Sequence, residues 1–348
     1  MHSIVYLDQC YLSNIAKAQA GYIKDEEQAK FWHSLFDDLK KAVLDDKIAC
    51  PELEFHMTEA RYDRRIEEQI RQVIDELSWG LEFRPWRSIL ESQIENAAKN
   101  FLGKQLNERA PWIVAFQSNP QAPVESRMED ILGSKGRINV HLSLPTEIVA
   151  QDRELKLGFV HQAERLLKTY SSNPLGWSEL LLESKRSFWD GFWGKQARQS
   201  ITQQVQEDSP LSQLTALDRY NELVDLWNRL RNIGINTDDP NMLKNFTESQ
   251  QLFDSPFSDI NASIWAAIGE CYLQGRKMQR GDFYDVPILA TVLPYCDITT
   301  TDRTMKEILV KTLHFDEKYK VKIFSATKAD RLAFQKLIRG LPSTEPYS

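Results

Sequence analysis

The 348-residue chain is long enough for one large domain or two ordinary ones, and 42% of its residues are apolar, which is enough for a packed core. Its 43 basic and 50 acidic residues give a formal charge of −7, which argues against a protein that coats nucleic acid by charge alone. No apolar run approaches the roughly 20 residues of a membrane-spanning helix, and the N-terminus lacks the apolar stretch of a signal peptide. We therefore expect a cytoplasmic protein with no membrane contact.

The four cysteines lie too far apart in the sequence for a C-x-x-C metal clip. They are Cys10, Cys50, Cys271 and Cys296. Because cytosolic thiols are normally reduced, we expect four free cysteines.

The first seventy residues alternate between short apolar strands and helices. Ser3–Leu7 is a β-rich run that ends in Asp8, and helical character follows it. Apolar residues at helical spacing then predict an amphipathic helix: Phe31, Leu35, Leu39 and Val43. Lys47–Cys50 predicts a second strand, and Pro51 stands where prolines start helices. This order is typical of the opening of a parallel α/β sheet.

A helix that begins at Pro51 would present four polar side chains on one face, because their spacing is i, i+4, i+7 and i+11. They are Glu52, His56, Glu59 and Asp63. His56 could orient a carboxylate or contact phosphate, but a lone helical histidine is more often a surface residue or a satisfied core residue.

The α/β pattern stops near residue 66, and the sequence is mostly helix-like from there to about residue 264. Within this stretch only Arg137–Leu144 has the pattern of a strand. Basic and aromatic residues alternate between Lys185 and Arg198, as in stacking platforms for single-stranded nucleic acid. Aromatic residues on a helix are more often part of a core, and we favour that interpretation here.

The α/β pattern returns near the C-terminus. Ile264–Leu273 and Asp285–Leu293 predict helices, and Cys296–Thr300 predicts a strand before Asp302. A helix, a strand and a last helix are then expected at Thr304–Leu313, Val321–Phe324 and Lys328–Ile338. The simplest interpretation is one discontinuous domain, residues 1–70 plus 265–348, interrupted by a mostly helical insertion, residues 71–264.

Several acids stand where open α/β sheets bind ligands, outside the carboxyl ends of the strands. Asp8 and Asp302 each follow a predicted strand and would share that edge. Asp285 opens a helix, with Asp282 one turn earlier; acids there also cap free backbone N–H groups, and for Asp282 we weigh the two roles equally. The basic run Gly275–Arg280 could grip backbone phosphate or form a solvated helix end.

In their order and local setting, four of these acids resemble the four acidic active-site positions of the PIN-domain ribonucleases. They are Asp8 after Ile4-Val5-Tyr6-Leu7, Glu59 in a helix after a short strand, Asp285 in a D-x-x-I-x-A motif, and Asp302 in a T-x-D motif. The stretch Leu293–Asp297 before T-x-D is similar to that of PIN-like proteins with long insertions. The resemblance covers about residues 1–70 and 276–348, and it implies an α/β fold: a PIN-like parallel sheet with flanking helices, interrupted by a large, mostly α-helical insertion.

The resemblance implies a metal-dependent endoribonuclease whose catalytic acids are Asp8, Glu59, Asp285 and Asp302. Crowded carboxylates cannot all stay ionised without a compensating cation, and Mg²⁺ or Mn²⁺ takes hard oxygen ligands and activates water for in-line attack on phosphorus. We expect Asp8 and Asp302 to be primary metal ligands, with Glu59 and Asp285 completing the shell. Asp282 and Asp297 would assist from farther out. Hydrolysis would leave a 5′-phosphate and a 3′-hydroxyl.

The expected substrate is nucleic acid, with RNA favoured over DNA, and the helical insertion could hold a protein partner or a second copy of the chain. The alternative is a non-catalytic PIN-like module that binds RNA or a partner within a larger defence or regulatory system. Such a module would lack an acid, whereas all four are present. A haloacid-dehalogenase-type phosphatase would need a second aspartate two positions after the first, where Cys10 stands.

Overall fold

The computed structural model describes most of the chain: residues 2–61, 63–104, 111–127, 160, 164, 176–193 and 224–342. The strand predicted at Arg137–Leu144 lies outside these residues. Within them, no helix is long and apolar enough to cross a membrane. All four cysteines are described and are free thiols, as predicted.

Four short parallel strands form one sheet in the order β2-β1-β3-β4. The strands are β1 (Ser3–Tyr6), β2 (Ile48–Ala49), β3 (Ile298–Thr301) and β4 (Lys322–Ser325). β1 lies in the middle, with Ile4 opposite Ala49 on one side and Tyr6 opposite Thr299 on the other. Strands from the two ends of the chain therefore pair directly. The predicted α/β class and the shared parallel sheet are confirmed.

Helices connect the strands of this sheet, and further helices build the central part of the chain. They are α1 (Gln9–Gln19), α2 (Glu26–Leu44), α3 (Glu54–Ala60), α4 (Glu67–Ser78), α5 (Trp86–Phe101), α6 (Pro111–Ala115), α7 (Trp177–Trp193), α8 (Pro240–Thr247), α9 (Gln250–Phe253), α10 (Pro256–Leu273), α11 (Asp282–Val292), α12 (Arg303–Glu307), α13 (Phe315–Lys318) and α14 (Lys328–Arg339). Residues 224–233 are also helical, and Ile308–Thr312 continues α12 as a π-helical turn.

The helices beside the sheet are held by a common apolar core. α2 starts at the N-cap Asp25 and buries one stripe at helical spacing: Trp32, Leu35, Phe36, Leu39 and Val43. On α1, the ring of Tyr11 makes edge contacts with Trp32 and Phe334, at centroid distances of 5.4 and 5.6 Å. Its hydroxyl donates to the Ser325 carbonyl at 2.8 Å. Tyr11 thus ties α1 to α2, to α14 and to the end of β4.

The helix that carries Glu59 is shorter than predicted. It begins at Glu54 rather than Pro51, because the backbone of Glu52 is engaged elsewhere. The Glu52 N–H donates to the Leu81 carbonyl, and the Phe83 N–H donates to the Glu52 carbonyl, both at 2.8 Å. Glu52 and Asp63 therefore fall outside α3, and the prediction that one helix face carries all four polar residues is wrong.

Three other helix predictions also differ from the structure. The helix expected over Ile264–Leu273 begins about two turns earlier, at Pro256. The helix expected from Asp285 begins one turn earlier, at Asp282. The single helix expected over Thr304–Leu313 is the short α12 followed by the π-helical turn. The wider turn changes which side chains face the sheet, a change that apolar spacing alone does not predict.

The chain divides into two compact units. The first comprises residues 1–86, 110–166 and 278–348, and the second comprises residues 87–109 and 167–277. The first unit contains the four strands and every predicted metal ligand. The predicted boundaries of nuclease domain and insertion, 1–70 plus 265–348 against 71–264, stay a prediction.

The second unit is built from helices in its described residues. α7 packs along α10, and Trp189 on α7 is buried. The side chains of the predicted basic and aromatic stretch from residue 190 on lie outside the described residues, so its interpretation stays a prediction. Lys185, also on α7, is buried and lies 3.2 Å from a carboxylate oxygen of Asp259. Arg229 pairs with Glu91 and Glu95 of α5 at 2.6 and 2.7 Å.

Candidate acidic site at the carboxyl edge of the sheet

Two predicted acids are placed by the ends of adjacent parallel strands. Asp302 directly follows β3, and Asp8 follows β1 after one intervening residue. The hydroxyl of Thr300 accepts the Asp8 N–H at 2.7 Å and donates to the Tyr6 carbonyl at 3.4 Å. The T-x-D segment of β3 therefore holds the backbone of Asp8 in place.

Each of these two acids also caps a helix. The Asp8 carboxylate accepts the Cys10 N–H at the start of α1, at 3.3 Å. Asp302 Oδ1 accepts the N–H groups of Thr304 and Met305 at 2.6 and 3.0 Å. Capping stabilises the helix starts and limits the rotamers of both carboxylates. Capping alone does not explain why further acids lie nearby.

The buried Tyr6 shows how close three of the acids lie. Its side chain is fully buried, and burial raises the pKa of its hydroxyl, as do the negative charges of Asp8, Glu59 and Asp285. These acids come from the end of β1, from α3 and from α11. All three therefore lie within electrostatic range of one side chain beneath the edge of the sheet.

The acids also act on one another. Burial raises the pKa of Asp285 well above its usual value, and the charges of Asp8, Asp302 and Glu59 raise it further, followed by that of Asp282. Burial also raises the pKa of Asp8. Hydrogen bonds from Cys10 lower this pKa, and the negative charge of Asp302 raises it. Asp8, Glu59, Asp285 and Asp302 therefore lie within electrostatic range of one another, and their catalytic role stays a prediction. We name Asp8, Glu59, Asp285 and Asp302 the acidic site.

Asp282 lies beside the acidic site but has a structural task as well. It is 2% exposed, and its Oδ2 accepts the Gln279 N–H at 2.8 Å ahead of α11. Its charge raises the pKa of Asp285, so it belongs to the same electrostatic environment. This hydrogen bond fixes the turn before α11 and does not cap the helix, since the N-cap of α11 is Gly281 and no side chain caps it.

Asp297 is not near the acidic site, and the prediction that it assists there is wrong. Its Oδ2 accepts the Ile4 N–H at 2.8 Å, and its own N–H donates to the Ile4 carbonyl at 2.9 Å. Ile4 lies near the start of β1, so Asp297 sits at the amino edge of the parallel sheet. The whole length of β3 separates it from Asp302.

His56 is buried next to Tyr6, the side chain that lies within electrostatic range of the acids. It is 1% exposed, and its ring stacks on Tyr6 with centroids 5.2 Å apart and an interplanar angle of 14°. Its Nδ1 accepts the Leu53 N–H at 3.2 Å, and burial lowers its pKa to about 4. His56 is therefore neutral at pH 7. Asp63, by contrast, pairs with Arg65 at 2.9 Å beyond the end of α3.

The sequence interpretation missed Tyr6. The one available signal was alternation along a strand, which puts Tyr6 and Asp8 two residues apart on the same side of the extended chain. Among the described residues, the buried Tyr6 hydroxyl has no hydrogen-bond partner. A buried donor without a partner is costly, and it is common at functional sites.

The basic run Gly275–Arg280 begins where α10 ends, and the backbone there has the geometry of a helix end. Gly275 follows α10 with a φ of +101°, which favours glycine, and the Arg276 N–H donates to the Cys271 carbonyl at 2.9 Å. This is the expected geometry of a helix end. Lys277 and Arg280 are exposed.

The fold and the site define a class: an α/β protein with several carboxylates in electrostatic range of one another near the carboxyl edge of a parallel sheet. Comparison of the chain with protein-family models, curated proteins and solved structures finds no match. Within the described residues, no three His, Cys, Asp or Glu side chains form a group that could hold a metal ion. The donor chemistry of the acidic site nevertheless suits a hard divalent cation, since carboxylate oxygens are its preferred ligands.

Proposed function

We propose that this chain is a PIN-like, Mg²⁺- or Mn²⁺-dependent endoribonuclease whose catalytic groups are the acidic site. The observation that supports the proposal is that acids from separate parts of the chain lie within electrostatic range of one another near one sheet edge. Burial raises the pKa of Asp285 and of Asp8, and the charges of the neighbouring acids raise both further. Such crowding is costly without a cation and favourable with one.

Each element contributes a defined part of the proposed chemistry. The caps at Asp8 and Asp302 hold two carboxylates at the ends of β1 and β3, where they would be the primary ligands. Asp285 and Glu59 would complete the shell from α11 and α3. A bound divalent cation would supply Lewis-acid stabilisation and an activated water for attack on phosphorus. Tyr6 and His56 are buried and stacked on each other beside these acids, and they exclude bulk water on that side.

The test is cleavage of single-stranded RNA by the full chain with Mn²⁺ or Mg²⁺, with EDTA as the metal-free condition. For Asp8→Asn we expect a loss of rate of about a hundredfold or more, because one charge is removed from the metal shell. The variant should melt no lower than the parent, since asparagine also caps helices and one of several mutually repelling carboxylates is gone.

Asp25→Asn is the matched control. Asp25 caps α2 as Asp8 caps α1, accepting the Gln28 N–H at 3.0 Å, but it is exposed and not part of the acidic site. It should cleave at the parental rate. If Asp8→Asn folds and cleaves as fast as the parent, the carboxylates are structural, and a non-catalytic RNA- or partner-binding module replaces the nuclease. Cleavage of single-stranded DNA but not RNA would contradict the assigned substrate.

A further inference from the structure

A cavity of about 330 Å³ is lined by residues of α12, of the end of β4 and of the start of α14. Its lining includes Arg303, which directly follows Asp302, and Ser325, which is the last residue of β4. β4 pairs with β3 in parallel, so this cavity opens at the same carboxyl edge as the acids. Neighbouring strands are about 4.8 Å apart, which places the cavity roughly one strand beyond Asp302.

One cation in this cavity is held in a fixed position. Lys306 Nζ lies 2.8 Å from both carboxylate oxygens of Asp330, and its side chain is only 26% exposed. Asp330 is itself fixed, because its Oδ2 accepts the N–H of Ser325 at 2.9 Å and also the Ser325 hydroxyl. Lys306 is therefore held in a fixed position at the carboxyl end of β4, in an ion pair with Asp330.

Two further cations in the cavity are free to turn toward a ligand. Arg303 and Lys311 have side chains that are 73% exposed, and both pair with the same carboxylate, Glu307, at 3.4 and 3.6 Å. Exposed ion pairs of this kind contribute little to stability, so exchanging Glu307 for an anionic ligand costs little. Cations outnumber carboxylates in this lining by three to two.

A second cavity of about 460 Å³ extends from Lys306 along β4 to the amino edge of the sheet. It adds Lys320 and Lys322, both exposed, at the amino end of β4 and therefore at the edge opposite the acids. Two carboxylates, Asp316 and Glu317, also line it. A chain with a formal charge of −7 would repel a polyanion overall, so binding one requires a local cationic surface.

We propose that these cations hold the sugar–phosphate backbone of single-stranded RNA beside the phosphodiester that the acidic site cleaves. We name this surface the β4 track: Arg303, Lys306 and Lys311. This inference rests on the proposed nuclease function and adds the path that the RNA strand takes from the acidic site. Lysine and arginine contacts to phosphate position a strand without reading its sequence, so the track predicts little base preference. The strand would cross from the acids over α12 toward β4.

The test measures the binding of a fluorescently labelled single-stranded RNA by anisotropy, over a series of salt concentrations with Mg²⁺. The full chain carries Asp8→Asn throughout, so that the probe stays intact. We expect Arg303→Gln combined with Lys311→Gln to weaken binding about tenfold or more. The slope of log K against log salt should also fall, by about one unit for each cation that no longer neutralises a phosphate.

Lys306→Gln gives a second measure, and Lys30→Gln is the matched control. Lys306→Gln should weaken binding, but it also removes the partner of Asp330, so its melting temperature is recorded alongside. Lys30 pairs with Glu26 at 3.8 Å on the exposed face of α2, an i, i+4 pair like Arg303 and Glu307. Its variant should bind with unchanged affinity and salt slope.

The outcomes separate this inference from the proposed function. If the folded Arg303→Gln, Lys311→Gln double variant keeps parental affinity and salt slope, the β4 track is overturned while cleavage that depends on Asp8 still stands. If the chain binds no single-stranded RNA, or binds duplex RNA equally well, the track as a single-strand site is also overturned. Displacement of the RNA by millimolar inorganic phosphate alone would point to a phosphate site rather than a strand site.

Discussion

Glu52 lies just outside α3, where its side chain faces two other acids, Glu82 and Asp75. Burial and these two charges raise the pKa of Glu52 to about 7, and Arg71 only partly opposes them. In the unfolded chain a glutamate titrates near its usual value of about 4.3. The folded protein therefore binds this proton more tightly than the unfolded chain does.

This difference makes stability depend on pH in a defined direction. A carboxyl group whose pKa is raised by folding contributes stability that is complete below its unfolded pKa and is lost as pH rises through the folded value, here about 7. Glu52→Gln removes that titration. We expect the melting temperature of the parent, relative to Glu52→Gln, to fall between pH 5 and pH 8. A constant difference across this range would contradict the burial of Glu52.

At the scale of elements, the junction between β1 and β3 depends on Thr300. We expect Thr300→Val to cost about 1–3 kcal/mol, because the Asp8 N–H loses its acceptor at 2.7 Å. Cleavage should also slow, since the backbone of Asp8 is no longer fixed. The measurements are chemical denaturation and the RNA cleavage assay.

The neighbouring residue of β3 provides the matched control. Thr299 is fully buried, and its hydroxyl has no hydrogen-bond partner among the described residues. Thr299→Val keeps the shape and removes an unsatisfied hydroxyl, so it should be neutral or stabilising. Equal destabilisation by the two variants would show that Thr300 acts through packing and not through its hydrogen bond to Asp8.

The elements show which parts of the fold could be predicted from the sequence. The four strands were found within one or two residues, because short apolar runs bounded by turn residues are a local signal. α14 was predicted almost to the residue, ending at Ile338 against Arg339 in the structure. The start of α3 was wrong because the backbone of Glu52 pairs with residues near 82, a non-local contact that no local pattern encodes.

At the scale of the whole molecule, the acidic site joins distant parts of the chain. Asp8 and Asp302 could be placed from the sequence, since parallel pairing of two strands puts their following residues at one edge. Tyr6 and the β4 track could not, because they depend on which side chains face each other after folding. The prediction for Asp297 was wrong for a related reason. Asp297 lies before β3 and not after it, which puts it at the amino edge of the sheet, opposite the acids.

The division into two units also bears on stability. The acids belong to the first unit, so bound metal should raise the free energy of unfolding of that unit by mass action. In EDTA at pH 7, Asp285→Asn should melt at or above the parent, because it removes a buried carboxyl whose raised pKa marks the cost of its charge. In excess Mn²⁺ the order should reverse. A variant that melts below the parent in EDTA would contradict the repulsion.

Metal binding by the acidic site is measured most directly by titrating the full chain with Mn²⁺ and following free Mn²⁺ by electron paramagnetic resonance. We expect the parent and Asp25→Asn to bind Mn²⁺ alike, and Asp302→Asn to bind at least about tenfold more weakly, because the variant keeps the cap but loses a charged ligand. Failure of the parent to bind Mn²⁺, or equal binding by folded Asp302→Asn, would contradict a metal-dependent nuclease.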